Sequence, residues 1–127
     1  MEVEAIVEAA ESLTTALANA GLGELYSHIP PKPSYPCVIV APSSPFITEP
    51  EDDTYASLQA NFDVWVITAP STDNKSMQYG VYRQLAKALT VLDNSDSFRF
   101  DEASEPQRIE NNQTKTLGSY IAIGVKI

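Results

Sequence analysis

The chain has 127 residues, 43% of them hydrophobic, with one cysteine and a formal net charge of −9. That length suits a single domain spanning 1–127, which hides about two-thirds of its unfolded surface without disulfides or metal. A lone cysteine excludes an internal disulfide, and no apolar run approaches the roughly 18 residues of a spanning helix. The acidic balance disfavours a nucleic-acid binder, which needs clustered Lys and Arg.

Residues 1–63 hold ten acids and one base, whereas residues 64–127 hold seven of each. An acidic side of the folded molecule is expected if the two halves separate in space. The acidic start, with Glu2, Glu4 and Glu8, does not read as a secretory signal, so a cytoplasmic origin is expected.

The first predicted element is a helix over 3–20. Val3, Ile6, Val7, Ala10, Leu13 and Leu17 recur at helical spacing, early Glu residues suit the helix dipole, and Gly21 and Gly23 supply the stop. Residues 24–36 read as a connector, because Pro30, Pro31, Pro33 and Pro36 prevent helix and favour extended chain. The apolar run 37–41 reads as a buried strand in which Cys37 is an inert thiol. Residues 42–56 read as a long loop with three prolines, the pair Phe46-Ile47 and the acids Glu49, Glu51, Asp52 and Asp53. It is either a solvated loop with a hydrophobic anchor or an arm that reaches a neighbouring subunit.

Residues 58–68, LQANFDVWVIT, alternate as a strand does. Leu58, Ala60, Phe62, Val64 and Val66 share one face. The other face starts polar at Gln59, Asn61 and Asp63, then turns apolar at Trp65 and Ile67, so half of it wants cover. That cover comes either from the terminal strand or from another subunit.

The next helix covers 77–92, with Met77, Val81, Leu85, Ala88, Leu89 and Leu92 in a stripe and Arg83 and Lys87 opposite. Thr72 or Asp73 is the expected N-cap. A short strand at 98–100, a further candidate at 108–110 and a strong strand at 117–127 complete the chain. In the last of these Leu117, Ile121, Ile123, Val125 and Ile127 share a face. The expected class is α+β in the order α-β-β-α-β-β, one mostly antiparallel sheet with two helices packed on one face.

No catalytic constellation is visible. The single His28 lies in the Pro-rich connector, too few His and Cys exist for a zinc site, and no Gly-rich phosphate loop occurs. The acids around 49–53 lack the alternating ligand spacing and central Gly of a calcium loop. No cofactor, no metal and no enzymatic activity are expected.

Element order, size and residue character together resemble the tail terminator (tail completion) proteins of long-tailed bacteriophages. The likeness rests on a Pro-then-apolar strand, Tyr35-Pro36-Cys37-Val38-Ile39-Val40, and on the longer strand Asn61-Phe62-Asp63-Val64-Trp65-Val66-Ile67. The helix with spaced Leu85, Leu89 and Leu92 and the terminal strand Tyr120-Ile121-Ala122-Ile123-Gly124-Val125 complete it. These are patterns of character spread over most of the chain.

The resemblance implies a structural virion protein, made in the host cytoplasm and then held at the head–tail junction. Such a protein forms a ring, usually of six subunits, on the end of the tail tube. The ring stops tube polymerisation and offers a joining surface to the head connector or stopper protein, while DNA passes through its hole without specific binding. Under that reading Phe46, Ile47, Trp65 and Ile67 are candidate subunit or partner contacts. Glu49, Glu51, Asp52 and Asp53 are candidate linings of an acidic lumen that repels phosphate. The alternatives are another phage neck, head-completion or minor tail protein, or a small cytosolic ligand-binding domain or hydrolase.

Overall fold

Apolar residues at helical spacing give two helices, α1 (Ala5–Ala18) and α2 (Asn74–Asp93). The computed structural model describes residues 2–49, 58–111 and 114–127. α1 buries Ala9, Leu13 and Leu17, one above another at i, i+4 spacing. The expected stripe is rotated at its start, since Val3 is 93% exposed and Val7 48% exposed. Val3 precedes the first helical turn, and Val7 lies about 120° round the helix from the Leu13 line.

α2 starts on Asp73, whose Oδ1 accepts from the Lys75 N–H at 3.0 Å and whose Oδ2 accepts from the Ser76 hydroxyl at 2.7 Å. These bonds satisfy orphan donors of the first turn and hold the Asp73 carboxyl below its usual range. Met77, Val81, Ala88 and Leu92 are buried on α2, and so is Gln84. Its amide donates to the carbonyls of Ile67 and Leu22 at 3.2 and 3.4 Å, tying α2 to a strand end and to the turn after α1.

The strands are β1 (Glu24–Tyr26), β2 (Cys37–Thr48), β3 (Gln59–Ile67), β4 (Phe98–Ala103), β5 (Gln107–Asn111) and β6 (Thr114–Lys126). They form one mixed sheet in the order β1-β2-β3-β6-β4, with β5 also paired to β6. β1 is parallel to β2 and the other pairs are antiparallel. The architecture is therefore α+β, with eight elements among the described residues where the periodicity predicts six.

Three differences have physical causes. β1 lies inside the Pro-rich connector and is held by local geometry, not by an apolar pattern. Gly23 has φ +91, and a Cβ there would strike the Pro36 carbonyl, which accepts from the Glu24 N–H at 3.2 Å. β2 runs on through Thr48, so the first part of the expected 42–56 loop is strand. Its register shifts between Pro42 and Ile47, and that irregularity absorbs prolines which a regular ladder rejects. β4 and β5 both lie along β6, separated by Ser104–Pro106. There the Ser104 N–H donates to the Tyr120 carbonyl at 2.9 Å, and the Tyr120 N–H donates to Ser104 Oγ at 3.1 Å.

The main core joins Leu13 and Leu17 of α1 and Ala88 and Leu92 of α2 to Val38, Val40, Ala60, Phe62, Val64, Val66, Ile121, Ile123 and Val125. These strand residues share one face by the two-residue period. A second, smaller cluster of Cys37, Ile39, Ala41 and Ile67 sits on the other face, and no helix residue belongs to it among the described residues.

Candidate functional site

The outer face of the sheet has two halves. At one end Ile39 and Ile67 are covered by Tyr26, Tyr35, Trp65 and Ile109. Ile109 reaches Ile67 because Gly118 lies between them; a Cβ at Gly118 would sit 3.1 Å from each. Trp65 is directly opposite Tyr120 in the β3–β6 register, and the two rings lie 5.1 Å apart at 58°. The polar tips of Tyr26 and Thr116 are anchored: Tyr26 Oη accepts from the Ser34 N–H at 2.9 Å, and Thr116 Oγ1 donates to the Thr68 carbonyl at 2.7 Å.

The other half is polar. Gln59 donates to Asn61 Oδ1 at 2.8 Å, and the Asn61 amide donates to Thr48 Oγ1 at 2.9 Å, fastening the irregular part of β2 onto β3. The Gln59 side chain lies across β6 over Gly124, where any side chain would collide with it. Beside this ladder is a depression of about 650 Å³. Its floor is Asn61, Asp63, Tyr120 and Ala122; its walls are Ser43 to Pro45 on β2 and Arg99, Asp101 and Glu102 on β4. Asp63 is half-buried there, and burial raises its carboxyl above the usual range, outweighing a hydrogen bond with Ser43 that acts the other way.

The sequence-predicted contact residues divide between the faces. Phe46 packs edge-on against Phe62, with centroids 5.5 Å apart at 81°, and Phe46 and Ile47 both lie against the main core. Ile67 is 4% exposed and packs within the second cluster. Trp65 remains half-exposed on the outer face beside the depression. Cover for the apolar half thus comes largely from within the chain, through Ile109 and Tyr120. Of the expected acidic lining, Glu49 is exposed at the rim of the depression, while Glu51, Asp52 and Asp53 lie outside the described residues.

Burial, aided by nearby Glu24, pushes the Cys37 thiol up to about 11, so it is protonated and unreactive near neutral pH. His28 is exposed. Among the described residues, no group of three His, Cys, Asp or Glu is placed to hold a metal ion, and no helix is long and apolar enough to cross a membrane.

No protein-family model and no curated protein matches the chain.

One surface escapes a reading by element, and a second lies on one helix. The polar depression draws on four strands, and its members become neighbours only once Asp63, Ala122 and Glu102 come into register. The outward side of α2 carries Lys75, Tyr79, Arg83 and Lys87 at i, i+4 spacing. Tyr79 and Tyr82 stack there with centroids 5.9 Å apart, at 45% and 44% exposure, and the Lys75 ammonium lies 5.5 Å from the Tyr79 ring. Arg83 and Lys87 of that stripe are legible in the sequence opposite the apolar side, and Lys75 and Tyr79 continue it at the same four-residue period.

Proposed function

We propose that this chain is the ring-forming subunit of a phage tail terminator, a structural protein that caps the tail tube and presents the joining surface for the head connector. The observation that supports the reading most is the outer sheet face, whose polar half is backed by no helix among the described residues. One helical layer backs the sheet, while the other side presents Trp65 and Tyr120 beside a broad polar depression. A surface of that breadth suits a protein partner better than a small substrate, which is held in an enclosed, mostly apolar pocket. The family resemblance supplies the partners: further copies of the chain, the tail tube protein and the connector or stopper. The acidic stretch 49–53 is assigned to the lumen, where it repels the phosphates of passing DNA.

The test is polymerisation of the cognate tube protein with and without the purified chain, read as tube length by electron microscopy. Tubes of limited length that end in a ring support the proposal. Tubes that grow equally long and bare at both ends overturn it. Particles lacking the protein separate the two phage roles: overlong tails belong to a terminator, whereas normal tails detached from full heads belong to a neck protein.

A further inference from the structure

Two faces of this molecule are complementary in charge and in size. The outer depression holds the carboxylates of Asp63, Asp101 and Glu102 against one guanidinium, Arg99. On the helical side, Lys75, Arg83 and Lys87 are all exposed, and no carboxylate lies among them on the helix before Asp93. Three acids with one base leave −2 in the depression, and the three bases of the α2 stripe with the capping Asp73 leave +2. This occurs on a chain whose total charge is −9.

The dimensions agree. From β2 across β3 and β6 to β4 is three strand spacings, about 14 Å, which admits a helix of about 10–12 Å diameter. Lys75 to Lys87 spans twelve residues, about 18 Å of helix. The floor from Tyr120 to Gly124 runs about 13 Å along β6. A helix laid along the depression therefore places its cations over the carboxylates and its Tyr79–Tyr82 stack within reach of Trp65 and Tyr120.

The geometry points to head-to-tail self-association, in which the α2 stripe of one copy docks in the outer depression of the next. The contact is heterologous: each copy offers a helix and accepts another. Such contacts close into a ring when the rotation between copies allows. The inference rests on the ring reading above for its biological setting and names the surfaces that the ring uses. Exposed ion pairs individually contribute little, so the charges select the face and the orientation. The aromatic residues Tyr79, Tyr82, Trp65 and Tyr120 provide the desolvated area that holds the copies together.

The test uses two charge-reversed variants of the full chain. One carries Arg83→Glu with Lys87→Glu, and the other carries Asp101→Lys with Glu102→Lys. All four positions are exposed, and thermal melts followed by circular dichroism check that each variant folds. Sedimentation at up to roughly millimolar protein is compared at about 0.05 M and 0.5 M salt, where screening of exposed charges differs severalfold in range. The wild type is expected to self-associate at low salt and to weaken at high salt. Each variant alone loses at least about tenfold in association constant, and an equimolar mixture of the two regains it, because every interface again pairs opposite charges. If a reversal impairs folding, the milder Lys87→Gln and Glu102→Gln variants each give a smaller loss in the same direction.

A wild type that stays monomeric throughout, association indifferent to both reversals, or a mixture that fails to recover overturns the inference. The tube assay separates it from the terminator reading. Folded variants that still limit tube length overturn this interface alone. A self-associating wild type that leaves tubes unlimited overturns the terminator reading alone.

Discussion

The two faces of the sheet are built from the same strands yet do different work. On the inner face Val64, Val66, Ile121 and Ile123 meet Leu13, Leu17, Ala88 and Leu92, and hardly any of these side chains reaches solvent. On the outer face Trp65 and Tyr120 cover part of a small cluster, and the surface then gives way to Gln59, Asn61 and Asp63. The first face decides the fold. The second is only half-closed by its own chain, and it is there that an association surface has room to exist.

The sharpest contrast comes from truncating one residue on each face. Leu13 is completely buried between α1 and the sheet, so Leu13→Ala is expected to lower stability by about 3–5 kcal/mol through lost burial and a residual cavity. Chemical denaturation measures this, and a loss below about 1 kcal/mol would show that the inner face can collapse around the gap. Trp65→Ala on the outer face is expected to cost about 2 kcal/mol, less than a core Trp, because the ring is half-exposed and mainly loses its contact with Tyr120. Equal losses at the two positions would remove the distinction between the faces.

Cys37 sharpens the comparison from the alkaline side. Its folded thiol titrates at about 11 against an ordinary 9.0. Below pH 9 the thiol is protonated in both states and contributes nothing to the pH dependence. Between 9 and 11 only the unfolded thiol ionises, so stability falls as pH rises, by up to about 2–3 kcal/mol. A Cys37→Ala variant is expected to lack that alkaline decline when both proteins are titrated with denaturant across this window. Parallel curves would show that the outer cluster admits solvent to the thiol.

The smallest effects belong to two aspartates of opposite sign. Asp73 caps α2, and its carboxyl is held low, first by the Ser76 hydroxyl and then by the Lys75 N–H. Its contribution is present above the ordinary value of 3.8 and is lost as pH falls through the lower folded value. Asp73→Ala should therefore lower the melting temperature by a few degrees at neutral pH, with the difference shrinking in acid. Asp63 is held high by burial, so its ionisation opposes folding above its raised value and the opposition fades on acidification. Asp63→Asn should raise the melting temperature slightly at neutral pH, and a fall would mean that the bond to Ser43 outweighs burial.

Much of the inner face is legible in the sequence because each of its elements repeats its pattern. α2 repeats over five turns, and β3 and β6 alternate over most of their length. β1 is three residues long, too short for a period, and depends on Gly23 approaching Pro36. The second half of β2 carries Pro42 and Pro45 and reads as a loop, yet Asn61 and Thr48 bond across it and keep it in the sheet. Val3 and Val7 share the apolar character of the α1 stripe, and only the helix start at Ala5 and its rotation reveal that they face outward. At the candidate site, the change from Asp63 to Trp65 is visible as a break in alternation. The depression beside it is not, because Ser43, Asp63, Ala122 and Glu102 come from four strands that only the register assembles.

In the proposed interface the basic side of α2 and the outer sheet face meet between copies. Hydroxyl-radical footprinting of the assembled and the dissociated chain tests it most directly, because the relevant rings are reactive side chains on both surfaces. Tyr79 and Tyr82 on α2, and Trp65 and Tyr120 on the sheet, are expected to become protected together on assembly, while exposed Phe100 at the β4 edge keeps its reactivity. Assembly that leaves all four rings as reactive as in the free chain would mean that the copies meet through other surfaces.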